Sequence, residues 1–207
     1  MKIYRKKDYY TEDDIFSTEE VSFQPGITML VGCNGYGKST MISIVEEYCK
    51  ANDIELLSYD ATNPHTSQRN IDKFLDNEQF GELALYLYSS EGERLVQGFG
   101  EIILKIGNFV SKRKKDKKPF FITLDGIDSG LSIDKLVDCN EVLHTIQQDI
   151  SDLEGYILVT SNNYELTAGF NCMDVHNGST VKFDNYEDYR GFIFKTKDIK
   201  DRRYEEE

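Results

Sequence analysis

The sequence predicts an α/β domain: a mostly parallel sheet flanked by helices, with a small antiparallel sheet at its N-terminal side. Three observations lead there. An apolar run, Ile27-Thr28-Met29-Leu30-Val31, opens into a glycine-rich loop and then a helix-like segment from Lys38 to about Asn52. A wholly apolar strand, Pro119 to Leu124, ends in the carboxylate of Asp125. A third such strand, Gly155 to Thr160, has the same character, and strands buried on both faces of a parallel sheet read as continuous apolar runs.

In chain order, Met1 to about Lys7 reads as an edge strand, and Asp8 to Ser17 as a loop or short helix. Val21 to Phe23, followed by Pro25-Gly26, reads as strand, turn and the next strand. Two short strands ahead of the loop suggest the small antiparallel sheet. The helix after Lys38 places Met41, Ile42, Ile44, Val45 and Tyr48 at helical spacing, a core-facing stripe. Ile54 to Tyr59 is the next strand, Asp60 to Arg69 a polar loop, and Asn70 to about Tyr88 mainly helical. A long helix opens at Ser89 to Glu93, with apolar positions from Leu95 to Phe109. Leu131 to Leu153 is helical, a helical turn spans Tyr164 to Ala168, and Met173 to Phe183 reads as a hairpin around Asn177-Gly178-Ser179. Asn185 to about Arg203 closes the chain as a helix, with a frayed tail over 202–207. No internal repeat or linker appears, so residues 1–207 read as one domain.

Composition narrows the function classes. The 207 residues suffice for one domain with a substantial core, and 39% apolar with 29% charged residues is ordinary for a globular chain. No apolar run reaches the ~18 residues of a membrane span, and Met1 to Arg5 lacks a signal-peptide core. Cys33, Cys49, Cys139 and Cys172 show no C-x-x-C spacing and read as reduced thiols of a cytoplasmic protein. Three scattered histidines argue against a metal centre built on them. A net charge of −13 argues against a surface that binds DNA throughout. Against that background Ser111 to Lys118 is a strongly basic run, including Lys112, Arg113, Lys114, Lys115, Lys117 and Lys118. Its ordinary reading is a solvated loop; its functional reading is a contact for nucleic acid or an acidic partner.

The chemistry centres on Gly32-Cys33-Asn34-Gly35-Tyr36-Gly37-Lys38-Ser39-Thr40, which fits G-x-x-x-x-G-K-[ST] between a strand and a helix. The glycines let backbone N–H groups turn inward onto phosphate oxygens. The opening helix adds its positive dipole end. Lys38 reaches the β- and γ-phosphates, and the Ser39 hydroxyl holds Mg²⁺. Asp125, at the end of its strand, contacts Mg²⁺ directly or through water; its plainer reading is a helix cap.

The chain resembles the nucleotide-binding head of the ABC ATPase superfamily, and within it the RecF/SMC-like and small AAA-family ATPases of bacteria and phages. The loop matches that group's G-P-N-G-S-G-K-S-T at seven of nine positions. Leu124-Asp125-Gly126-Ile127-Asp128-Ser129-Gly130-Leu131-Ser132 resembles L-D-E-P-x-S-x-L-D. Ser90-Glu91-Gly92-Glu93 resembles the signature S-G-G-Q, and Thr160 to Leu166 resembles the switch segment T-H-S-P-E-L.

The resemblance implies a P-loop fold that binds ATP and Mg²⁺ and pairs face to face, the signature of one subunit closing on the γ-phosphate held by the other. Asn34, Gly35, Gly37, Lys38, Ser39 and Thr40 would bind the nucleotide, and Ser90 and Gly92 would complete the partner's site. Ser39, Asp125 and Gln68 would hold Mg²⁺. Tyr9 or Tyr10 would stack on adenine. The family's catalytic glutamate falls on Gly126 and its switch histidine on Asn162, leaving Asp128 and Asn162 as the hydrolytic candidates. No helical arm interrupts the chain, so a complete SMC protein is excluded. The expectation is a slow ATPase that homodimerises around ATP as a nucleotide-controlled clamp, with DNA maintenance or phage–host processes implied by the relatives alone. The rival is a non-hydrolysing ATP-binding module that recruits a protein partner. A small-molecule kinase lacks an arginine-rich lid, and a transporter ATPase lacks a membrane-coupling subdomain between Asp60 and Ser89.

Overall fold

The computed structural model describes residues 1–5, 15–61 and 91–203, with the backbone alone for 91–99 and 203. Two short strands, β1 (Lys2–Tyr4) and β2 (Glu20–Ser22), pair antiparallel with Ile3 opposite Val21. β3 (Gly26–Val31) leads through the glycine-rich loop into α1 (Lys38–Ala51), and β4 (Glu55–Asp60) follows. α2 (Glu91–Asp116), β5 (Phe120–Asp125), α3 (Ile133–Asp149) and β6 (Gly155–Thr160) come next. A single turn α4 (Tyr164–Thr167), then β7 (Asn171–Asp174), β8 (Thr180–Val181) and α5 (Tyr186–Arg203) complete the chain.

Six strands form one sheet in the order β4-β5-β6-β3-β7-β8. All neighbours are parallel except β7 and β8. This is the α/β architecture expected, including the small separate antiparallel sheet. The register brings strand ends level: Leu30 lies opposite Thr160, and Leu124 opposite Val159. The loop after β3 and Asp125 at the end of β5 therefore share the carboxyl edge of the sheet, with β6 between them.

Alternation along the strands sorts the core into two layers. Ile27, Met29 and Val31 of β3, Phe120, Ile122 and Leu124 of β5, and Ile157 and Val159 of β6 pack with Ile102, Ile106 and Val110 of α2 and Leu136, Leu143 and Ile146 of α3. Leu30, Phe121, Tyr156 and Leu158 face the other way, onto Met41, Ile42, Val45 and Cys49 of α1 and onto Ile3 and Val21 of the small sheet. Burying each such side chain stabilises the fold by roughly 1.5–3 kcal/mol. A polar pair serves the α1 face as well: Thr123 is fully buried and donates its hydroxyl to Glu46 of α1 at 2.9 Å.

The basic run departs from the loop expected of it. α2 continues through Asp116, and Arg113 within it is only 2% exposed. Its guanidinium lies 3.1 Å from Asp116 and 3.4 Å from Glu55, with its carbon 5.5 Å from the Phe109 ring centre. A planar guanidinium can meet two carboxylates at its edge while it lies near an aromatic ring. The local charge pattern hides this, because Arg113 differs from its neighbours only in what it faces. All four cysteines are free and buried.

β6 begins with a glycine for a packing reason. A Cβ on Gly155 would stand 2.3 Å from Cζ of Phe120, whose ring is fully buried on the neighbouring strand. Gly155→Ala should therefore lower stability by about 1–3 kcal/mol through overpacking, seen as a lower urea midpoint at an unchanged slope. Adding Phe120→Leu should recover part of that loss in a double-mutant cycle; additive losses would place the strain elsewhere.

Candidate phosphate-binding site

The loop between β3 and α1 is shaped by three glycines with positive φ: Gly32 at 149°, Gly35 at 75° and Gly37 at 104°. At Gly32 and Gly37 space is short as well. A Cβ would stand 2.2 Å from the Tyr36 ring at Gly32, and 2.7 Å from Ile15 at Gly37. Gly37 is the N-cap of α1, so the cap has no side chain, and no acidic residue lies in the first turn. Among the described residues, no side-chain oxygen caps the first N–H groups of this helix.

Lys38 folds back into the loop. It is 8% exposed, and its ammonium donates to the Gly32 carbonyl at 2.7 Å and the Cys33 carbonyl at 3.1 Å. Burial lowers its pKa from 10.5, opposed chiefly by the neighbouring carboxylates of Asp128 and Asp125. Ser39 is exposed and Thr40 half-buried in the same first turn, while Asn34 and Gly35 are exposed at the loop's crest.

Asp125 is tied to the middle strand. Thr160, at the end of β6, donates its hydroxyl to Asp125 Oδ1 at 2.6 Å and accepts the N–H of Gly126 at 2.9 Å. The hydroxyl thus fixes both the carboxylate and the turn after it. Gly126 has φ 67°, a left-handed conformation that disfavours any side chain.

Asp128 and Asn162 are brought together, through the backbone. Asp128 is 3% exposed, and its Oδ2 accepts the N–H of Asn162 at 2.6 Å and the side-chain amide of Asn163 at 3.0 Å. Its Oδ1 is buried and takes no hydrogen bond among the described residues. Ser161 completes the knot, donating to the Asn163 carbonyl at 3.0 Å and accepting its N–H at 3.1 Å. The Asn162 side chain stays exposed. Gly92 falls in the first turn of α2. Ser90, Gln68, Tyr9 and Tyr10 lie outside the described residues.

Three participants escape a reading of the loop motif alone: Thr160 as the tie to Asp125, and Thr196 and Lys200 of α5, which touch the loop from outside. A hydroxyl ending an otherwise apolar strand is a usable signal for Thr160. Nothing in the α5 sequence marks its pair.

Chemically, the arrangement offers a buried cation, open helix N–H groups, an exposed hydroxyl and a fixed carboxylate at one edge. That set suits a polyphosphate with a divalent ion held between Ser39 and Asp125. Among the described residues no group of three or more His, Cys, Asp or Glu side chains gathers to hold a metal by itself. No described helix is long and apolar enough to cross a membrane. The chain matches no protein-family model and no curated protein.

The lowered pKa of Lys38 has a consequence for stability. As pH rises toward 10.5, the unfolded chain retains a proton that the folded chain has released, so this group makes stability rise with pH in that interval. Buried Cys49 and Cys172, both with pKa raised to about 12, act oppositely above 9. The wild type minus Lys38→Met difference in urea stability, measured across that interval, isolates the lysine. It should rise with pH; a flat or falling difference would contradict the burial penalty.

Proposed function

We propose that the chain is a P-loop nucleotide-binding protein of ABC/SMC-like type. It binds ATP·Mg²⁺, pairs with a second copy around the nucleotide, and hydrolyses it slowly as a nucleotide-controlled clamp. The observation that carries this reading is the buried Lys38 ammonium inside a loop of left-handed glycines at an uncapped helix start. A phosphate anion suits that arrangement, and Asp125 lies at the same carboxyl edge of the sheet, where a metal on the phosphates would meet it. Asn34, Gly35, Gly37, Lys38, Ser39 and Thr40 bind the phosphates; Ser39 and Asp125 hold Mg²⁺, with Gln68 as a further ligand. Ser90 and Gly92 complete the partner's site.

A specific observation favours the second reading, a non-hydrolysing ATP-binding module that recruits a protein partner. The glutamate position is Gly126 in a left-handed turn, and Asp128 spends one carboxylate oxygen on holding Asn162 and Asn163. Gly126 has no side chain to orient water, and Asp128 keeps for that work only its buried Oδ1. Absence of such a group commonly costs about 10²–10⁴ in rate, against a typical turnover of ~10 per second.

Titration with a fluorescent ATP and Mg²⁺, joined to light-scattering mass, tests both. Wild type should bind and double in mass; Lys38→Ala should weaken binding at least roughly tenfold, the loss of a charge-assisted contact. Tight binding at an unchanged mass would remove the clamp and leave the recruiting module. No binding by folded wild type would overturn both. Turnover that survives Asp128→Ala would take Asp128 out of the hydrolytic role.

A further inference from the structure

α5 is largely polar on its exposed side, yet it buries a threonine. Thr196 is 1% exposed and donates its hydroxyl to the Ile193 carbonyl, one turn back in the helix, at 2.8 Å. With the proton committed there, the oxygen can act only as an acceptor, and it takes the N–H of Cys33 at 3.0 Å. One turn further on the same face, Lys200 donates to the Asn34 carbonyl at 3.4 Å. Its stem passes 3.5 Å from where a Cβ on Gly35 would stand.

These contacts act on whole peptide planes. In a trans peptide the C=O and the following N–H point in opposite directions. The Gly32–Cys33 plane is gripped at both ends, its carbonyl by Lys38 from within and its N–H by Thr196 from α5. In the Asn34–Gly35 plane Lys200 draws the carbonyl toward α5, which aims the Gly35 N–H away from that helix and back across the loop. One helix thereby sets the direction of two peptide planes of the loop, on either side of the Cys33–Asn34 plane.

Resting on the ATP-binding reading above, we propose that Thr196 and Lys200 are positioning residues for the phosphate loop, and that nucleotide binding and the docking of α5 are coupled. The coupling is reciprocal: what α5 contributes to nucleotide affinity, nucleotide returns as tighter docking of α5. Residues 193–203 then report on the occupancy of the loop without touching the nucleotide.

The test compares Thr196→Val, which keeps the shape and loses the acceptor, with Thr196→Ser, which restores it, and with Lys200→Met. Fluorescent-ATP titration should show Thr196→Val about tenfold weaker, Thr196→Ser within about twofold of wild type, and Lys200→Met about threefold weaker. Hydrogen exchange in residues 190–203 should slow when ATP is added to wild type and respond less in Thr196→Val. A purely structural threonine would lower the melting temperature and leave affinity and the ATP-dependent exchange alone, which overturns the proposal. If Thr196→Val does not fold, Lys200→Met decides, since that side chain is 24% exposed; unchanged affinity there overturns it too. Wild type that binds no ATP defeats the nucleotide reading and this proposal together. Binding that is normal in every variant defeats the positioning role alone.

Discussion

Burying an ammonium costs several kcal/mol unless its donors are met, and Lys38 meets that condition only because the Gly32 and Cys33 carbonyls turn toward it. Turning those two carbonyls inward sets the peptide planes of the loop, and those planes demand left-handed or cramped backbone at Gly32 and Gly37. The helix that follows then starts from a glycine and begins without a side-chain cap. A protein selected for stability alone would put Ser, Asp or Asn at that position. The sheet absorbs the cost, because β3 is central, buried from Ile27 to Val31, and paired on both edges.

The same logic spreads to neighbouring strands. The register places β6 between the loop strand and the strand of Asp125, so a hydroxyl at the end of β6 reaches across to the carboxylate. The N–H of Ser161 meets the Leu30 carbonyl at 3.2 Å, and the N–H of Val175 meets the Val31 carbonyl at 3.4 Å. The loop is thus suspended from strand ends on either side. Its outer wall comes from segments distant in sequence: Ile15 and Phe16 at Gly37, and α5 at Cys33 to Gly35.

What the sequence makes legible follows from the range of each interaction. Continuous apolar runs mark β3, β5 and β6, and the glycine–lysine–hydroxyl spacing marks the loop, because both are set by neighbours along the chain. Strand order is not set that way. The hairpin is legible from Asn177-Gly178, yet nothing local says that its first strand pairs parallel with β3. Arg113 fails for a related reason: five exposed-looking basic neighbours conceal one that faces Glu55, a strand away. Thr196 and Lys200 are invisible because their partners lie 163 and 166 residues away.

Gly126 is where local and functional demands meet. A glutamate there would have to adopt φ near +67°, a region that L side chains rarely occupy, while its N–H is committed to Thr160. The glycine is therefore part of how Thr160 holds Asp125, and a simple Gly126→Glu replacement would disturb the carboxylate it was meant to assist. Asp128 is committed through one oxygen, since releasing its Oδ2 would orphan the Asn162 N–H. The turn after β5 is built to hold still. Under the nucleotide-binding proposal, a turn that holds Asp125 and the segment from Ser161 to Asn163 this firmly favours retention of a bound triphosphate over its rapid turnover.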